Sequence, residues 1–392
     1  MINKKLEGDL KKASYVRKMF EQGEELRRLR GADKIFDFSL GNPEAEPPQS
    51  VRESIARHAA DGAPGLHRYM SNAGYAFARE RVAEHLAEQS GVGVGAGNVV
   101  MTVGAAGGLN IVLKAILEPG DEVAVFAPYF KEYDFYAENH GGRVVPVQTS
   151  AASAFRPDAE ALERAITART KALIINSPNN PTGAVYDEAC LRELDGALER
   201  CGQKYGTRIL AISDEPYAKI AYDGVRVPQA LACFRNAVVV SSYSKSLALA
   251  GERIGYVAAS PNIEGVGELV DGLVFCNRVL GFVNAPALMQ RVVADNAGAG
   301  VDMAYYAERR DAICAILDEA GFDFVRPQGA FYVFPKVLGG DEEAFKDRAV
   351  AHNILIVPGS GFAGPGHFRL SFCVAADAIR RSRDAFLALA AE

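Results

Sequence analysis

Residues 236–245 read NAVVVSSYSK, a short apolar run, Ala237 to Val240, that stops abruptly at serines and a lysine. Unbroken apolar character over so few residues, with three valines in a row, predicts a strand buried on both faces, the kind found inside a parallel sheet covered by helices. Lys245 then lies just past the carboxyl end of that strand. Most lysines are solvated, so the position matters more than the residue.

The same pattern recurs along the chain. NVVMTVGAAGG (98–108), DEVAVFAPYF (121–130), RVVPVQ (143–148), KALIINSPNNPTG (171–183) and RILAISDEPY (208–217) are apolar runs that end in small or turn residues. Helical patterns at 158–168 and 187–201 lie between several of them, and alternating strands and helices predict an α/β fold, a large domain whose mostly parallel sheet is flanked by helices. In such sheets ligands sit beyond the carboxyl ends of the strands. That rule singles out Gly104, Ala105 and Ala106, then 128–130, 176–183, 214–217 and 242–245, and predicts that they converge on one cleft.

From about Ala287 the pattern changes to longer helices with the strand-like stretches GAFYVFPKV, NILIVPG and HFRLSF. A smaller α+β domain follows, and the first forty residues, with a charged helix over 18–30, are expected to pack with it. The division is therefore 41–286 for the large domain and 1–40 together with 287–392 for the small one. GVGVGAGN (91–98) precedes a strand and lacks the G-x-G-x-x-G spacing, so it reads as a turn.

With 49% hydrophobic and 23% charged residues, the 392-residue chain falls outside disordered, collagenous and membrane-spanning compositions. A formal charge of −6 offers no basic field for nucleic acid, which leaves small molecules as the expected partners. Six scattered cysteines without a C-x-x-C pair read as reduced structural thiols. The six histidines show no metal-ligand spacing, so no metal is expected. The first twenty residues lack the apolar core of a leader, no run suits a membrane span, and a cytoplasmic location is expected.

A lysine desolvated at a strand end becomes a nucleophile able to form a Schiff base with an aldehyde, which suggests pyridoxal phosphate. That cofactor makes further demands. Its ring nitrogen needs a carboxylate, and DEPY supplies Asp214. Its 3-hydroxyl needs donors, and Tyr217 and Asn180 are of the right type. Its phosphate needs a helix N-terminus, hydroxyls and an arginine; GAAGGL, Ser242, Ser244 and Arg253 provide them. An aromatic ring should cover one face, and Phe130 is the candidate. Each residue alone has an ordinary explanation as turn, cap, core or surface; the argument rests on all of one cofactor's demands being met at strand ends.

NNPTG (179–183), DEPY, SYSK, the following G-x-R-x-G-Y (251–256) and FRLSF (368–372) resemble, in order, the motifs of the class I/II aminotransferases, fold type I of the pyridoxal-phosphate enzymes and aspartate aminotransferase-like. The resemblance runs from SLGNPE at Ser39 to Phe372. It implies a seven-stranded sheet, Lys245 as the Schiff-base lysine and general base, Asp214 at the ring nitrogen, and Tyr217 and Asn180 at the 3-hydroxyl. It further implies Arg253, Ser242 and the Gly104–Ala106 turn at the phosphate, Arg369 at the substrate α-carboxylate, and Gly41 in a loop that closes over it. Tyr69, in HRYMSNAGY, matches a tyrosine that reaches the neighbouring subunit's phosphate, so a homodimer with shared sites is implied.

The function implied is transfer of an amino group between an L-amino acid, acidic or aromatic, and a 2-oxo acid such as 2-oxoglutarate. A β-eliminating lyase on the same fold is the alternative. Some aspartate-using relatives carry a lysine in the turn after the first strand, where this chain has Ala106. Arg278, in VFCNRVLGF, lies near the region from which others reach a distal carboxylate across the dimer.

Overall fold

The computed structural model describes residues 2–12, 15–62 and 64–392. Each of the six apolar runs forms a strand: β1 (Val99–Thr102), β2 (Glu122–Ala127), β3 (Arg143–Gln148), β4 (Thr170–Asn176), β5 (Leu210–Asp214) and β6 (Ala237–Ser242). A seventh, β7 (Gly255–Ala259), completes a sheet of order β1-β7-β6-β5-β4-β2-β3. All neighbours pair in parallel except β7, which runs against both β1 and β6.

The apolar runs are continuous because the sheet is covered on both sides. Val99, Phe126, Leu173, Ile175 and Val239 point into one core. Their neighbours Val100, Val125, Ile174, Val238 and Val240 point into the other. Successive side chains of a strand face opposite ways, so a strand with a helix layer on each face has no solvent side to mark with polar residues. The expected helices sit where their caps place them. Asp158 accepts from Glu160 N at the start of Ala159–Ala165, and Asp187 accepts from Cys190 N at the start of Glu188–Tyr205. The longer helix stops at Gly206, whose φ of 64° supplies the left-handed residue common at helix ends.

The smaller unit is built on a third core that includes Phe38, Tyr306, Phe331, Phe345, Phe368 and Phe372. Phe36–Asp37 pairs in parallel with Ile354–Leu355, which ties the N-terminal segment to the C-terminal part of the chain. Tyr332–Val333, Phe368–Ser371 and Val357–Pro358 form a three-stranded antiparallel sheet. Tyr217, Ile220 and Tyr222, which follow β5, are buried in this same core, so the two units share a wall at the carboxyl end of the large sheet.

One boundary moves. The helix Ala287–Asp295 buries Met289, Val292 and Val293 in a core with Val51 and Val82 of the large unit. Its apolar positions satisfy the large domain, so residues 287–295 pack there and not with the small domain as expected. Among the described residues no helix is long and apolar enough to cross a membrane.

Candidate active site

A cavity of about 300 Å³ opens where β4, β5 and β6 end. Of the residues expected to meet there, Gly41, Ala105, Ala106, Phe130, Asn180, Asp214, Tyr217, Lys245 and Arg369 line it. They arrive from both units of the fold and from seven different segments of the chain.

Lys245 is carried by a four-residue helix, Tyr243–Ser246, that begins directly after β6. Its Nζ donates to Gly41 O at 2.7 Å and stands 5.5 Å from the Phe331 ring centroid. Burial lowers the ammonium pKa to about 8; Cys373 opposes the shift, and Arg369 and Arg253 add to it. Desolvation disfavours the charged form of an amine, so a far larger fraction of Lys245 than of a solvated lysine carries a free electron pair near neutral pH.

Asp214 is the last residue of β5 and is buried. Its Oδ2 accepts from Tyr133 Oη at 2.6 Å, whereas Oδ1 has no hydrogen-bond partner among the described residues. Burial raises the carboxyl pKa to about 6, with the Tyr133 hydrogen bond acting the other way. The neighbouring strand fixes the backbone: Asn176 Nδ2 donates to Asp214 O at 2.8 Å, and Asn176 Oδ1 accepts from Asn180 N at 2.7 Å. Asn179 Oδ1 accepts from both Thr182 N and Thr182 Oγ1. The NNPTG turn is thus held by its own side chains, and Asn180 is aimed at the cavity.

Tyr217 Oη lies 2.9 Å from Tyr332 Oη, a bond that joins the large unit to the small one. Arg369 is buried between the rings of Tyr332 and Phe362, with its guanidinium carbon 4.6 Å from each centroid. One terminal nitrogen donates to Asn180 Oδ1 at 3.1 Å and the other to Ser39 O at 2.5 Å. Its Nε has no partner among the described residues. A guanidinium stacked between two rings is held in plane, the pose in which it meets a carboxylate along an edge.

At the other end of the cavity the helix Gly104–Ile116 presents its N-terminus through Ala105 and Ala106. Gly104 has φ of 70°, and a Cβ there would stand 2.6 Å from an Arg253 terminal nitrogen. The positive φ is what favours glycine, and Arg253 is seated against the head of this helix. Ser242 is buried, but it lines a separate cleft of about 820 Å³ on the far side of Pro216. That cleft is larger, yet it holds neither Lys245 nor Asp214. Ser244 is buried and lines neither space. Tyr69 is 90% exposed, and Arg278 lies on an outer face with its guanidinium 5.2 Å from the Phe275 ring centroid. Within one copy of the chain these two residues do not reach the cavity.

Tyr133, Tyr332, Asn176 and Ser39 are site residues that the sequence reading missed. Tyr133 carried little signal: it lies in the first turn of the helix Glu132–Asn139, and its edge-on contact with the Phe130 ring at 5.7 Å depends on how the chain turns after β2. Tyr332 lay in a stretch read only as a strand. Its role depends on the packing of two units, which no local pattern encodes.

This fold and this set of buried groups define an aminotransferase. The chain belongs to the family described as Aminotransferase class I and II, whose model matches residues 33–386. It is 33% identical over 368 residues to the aspartate/prephenate aminotransferase of Thermus thermophilus, covering 92% of each chain. It is 30% identical over 384 residues to the aromatic-amino-acid aminotransferase 2 of Thermococcus litoralis, covering 95% of this chain and 94% of that one. Among solved structures, an amino transferase from Eubacterium rectale superposes with a TM-score of 0.95 at 38% identity, over 99% and 98% of the two chains. The Thermus thermophilus aspartate aminotransferase with maleate superposes with a TM-score of 0.85 at 30% identity, over 96% of each.

Proposed function

We propose that this aminotransferase binds pyridoxal phosphate in the 300 Å³ cavity and moves an amino group between an L-amino acid, acidic or aromatic, and a 2-oxo acid such as 2-oxoglutarate. The observation that carries the reading is the buried Asp214 Oδ1 without a partner, in the same cavity as Lys245. An unsatisfied buried acceptor costs on the order of 1–3 kcal/mol, and a protonated ring nitrogen would satisfy it. The other residues fit the same group. Lys245 would be the amine for the aldehyde, Asn180 and Tyr217 would hold the ring hydroxyl, Phe130 would cover a face, and the Gly104–Ala106 turn with Arg253 would receive the phosphate.

When bound, the cofactor supplies an electron sink for the bond broken at the substrate α-carbon. The chain's own groups do the rest. Arg369 binds the α-carboxylate and fixes which α-carbon bond faces Lys245. Lys245, with its lowered pKa, takes the α-proton and returns it as general base and then general acid. Gly41, whose carbonyl Lys245 contacts, belongs to the loop that covers the substrate and keeps water out. Asp214, held by Tyr133, keeps a negative charge under the ring nitrogen.

The relatives' names support acidic and aromatic donors, and the rings of Phe130, Tyr332 and Phe362 around the cavity suit an aromatic side chain. Ala106 removes one route to a second carboxylate, and we assign that contact to Arg278 of a second copy. Exposed Tyr69, Phe275 and Val279 would be covered in such a homodimer, where Tyr69 would reach the phosphate of the other site. Six buried, free cysteines suit a reducing compartment, and we place the enzyme in the cytoplasm.

The test is a half-reaction. The purified yellow protein is mixed with single amino acids in the absence of any oxo acid. Loss of the yellow band with one equivalent of 2-oxo acid released ranks the donors. Ammonia release with an unbleached band would identify an eliminating lyase, and no response to any amino acid would refute both. Replacing Arg278 with alanine is expected to weaken aspartate and glutamate turnover, and unchanged turnover would remove its assigned role.

A further inference from the structure

Tyr332 is placed where three parts of the site meet. Its Oη lies 2.9 Å from Tyr217 Oη, its ring underlies the Arg369 guanidinium at 4.6 Å, and a Cβ added to Gly41 would fall 2.0 Å from its hydroxyl. The first residue sits at the end of the large sheet, the second in the last strand of the small unit, and the third in the N-terminal loop. Tyr332 itself is buried in a two-residue strand that pairs with Phe368–Ser371, Ser371 opposite it. None of its freedom remains for another partner.

The two hydroxyls pose a question of proton direction. A phenol has one O–H to give, and its oxygen can accept at the same time. If the Tyr217 proton goes to the cofactor's ring oxygen, the bond between the tyrosines has to be donated by Tyr332. The groups around the pair favour that direction. Burial raises both phenols and the Arg369 cation opposes the rise at each, but it is the Tyr332 ring that the guanidinium lies against, at 4.6 Å. A hydroxyl on the ring next to a cation is the better donor. The other titratable or charged groups facing the pair are Asp214, Tyr133 and Cys373, with Lys245 lining the same cavity.

We propose that Tyr332 is a positioning residue: its hydroxyl donates to Tyr217 and thereby commits the single Tyr217 proton to the cofactor's ring oxygen. The inference rests on the cofactor assignment above. Hydrogen bonds in a chain polarise one another, so Tyr217 becomes a stronger donor with Tyr332 behind it than alone. A stronger donor at the ring oxygen draws negative charge away from the neighbouring Lys245 nitrogen. The proton on that nitrogen is then held less tightly, and the colour change of the bound cofactor falls at a lower pH. Gly41 enters because only a residue without a Cβ leaves room for the Tyr332 hydroxyl.

The test uses the full chain loaded with pyridoxal phosphate and reads the pH midpoint of its absorbance change. In Tyr332→Phe the ring and the Arg369 contact stay while the donor is lost. The midpoint is expected to rise by about half to one pH unit, with the KM for amino acids changing less than about threefold. Tyr217→Phe is expected to raise the midpoint by itself, and adding Tyr332→Phe to it should change nothing more, because coupled residues are not additive. Gly41→Ala, which leaves both tyrosines in place but displaces the hydroxyl, should move the midpoint in the same direction. An unmoved midpoint in Tyr332→Phe, or an equal shift with and without Tyr217, overturns the proposal. A wild-type protein that shows no such band with the cofactor would instead refute the cofactor assignment, and the inference with it.

Discussion

The Tyr133 hydroxyl donates to Asp214 Oδ2 at 2.6 Å and leaves Oδ1 of the same carboxylate buried without a partner among the described residues. The two oxygens of one side chain are thereby given different tasks. A carboxylate buried with no donor would drift toward its neutral form, since burial alone raises its pKa. The Tyr133 bond opposes that drift and fixes the rotamer. In Tyr133→Phe, a bond to a charged group worth about 1.5–3 kcal/mol is lost. We expect about a tenfold or greater fall in kcat together with weaker cofactor retention, measured by steady-state kinetics and by dialysis of the loaded protein. A variant with unchanged kcat would show that Oδ2 needs no support.

Lys245 makes a prediction about pH. Its amine is expected to lose its proton near pH 8 and not near the 10.5 of a free lysine. The rate at which the cofactor-free protein captures pyridoxal phosphate should therefore rise through pH 7 to 9 and level off, as followed by the growth of the yellow band. Borohydride should trap the cofactor on the chain, and Lys245→Ala should abolish the trapped adduct. A capture rate that keeps climbing to pH 10 would show a solvated lysine.

Asp214 and Glu215 carry a penalty in the cofactor-free protein. Burial raises their folded pKa values to about 6 and about 7, above the ordinary 3.8 and 4.5. For raised carboxyls the fold binds protons that the unfolded chain has released. The associated stability is fully present below the unfolded pKa and is lost as pH rises through the folded one. The cofactor-free protein should thus lose stability between about pH 4 and pH 7. Asp214→Asn should recover about 2–3 kcal/mol of it at pH 8 while destroying activity. Urea unfolding at pH 5 and pH 8 checks the sign, and greater wild-type stability at the higher pH would contradict it.

Arg369→Lys keeps a cation but loses the planar edge that two stacked rings hold in place. Lysine offers a point charge and no paired donors. A misoriented α-carbon costs on the order of a hundredfold, and we expect a fall of that size in kcat/KM for every amino acid donor. The absorbance of the loaded protein should stay unchanged, because Arg369 meets the substrate. An altered spectrum with normal kcat/KM would place it at the cofactor.

Much of this arrangement is legible in the chain because strand ends carry both signals at once. In NAVVVSSYSK and RILAISDEPY the apolar run gives the strand, and the first charged residues after it are Lys245 and Asp214, which meet in one cavity. The strand β7 was not among the apolar runs singled out, because GYVAA is short and its small residues do not stand out. Ser242 and Ser244 illustrate a different limit. Ser242 ends β6 and Ser244 lies in the short helix after it, yet one lines the larger cleft and the other lines neither space. Adjacent residues on a tight turn diverge, and composition does not say which way. The helix at 287–295 was assigned to the wrong side of the boundary because its amphipathic pattern states that it has a buried face, not which core receives it.

The reversed direction of β7 has a consequence for how the protein is made. Because β7 runs against β1, its first residue, Gly255, lies beside Thr102, and Arg253 meets Gly104 across the sheet although long stretches of chain separate them. A ribosome delivers Gly104 early and Arg253 only after five further strands have emerged. The proposed phosphate seat therefore closes only after six strands of the large sheet have been made, and Arg369 follows later still. Uptake of the yellow cofactor would in this sense certify that synthesis has passed Arg253, since no shorter chain possesses both halves of that seat.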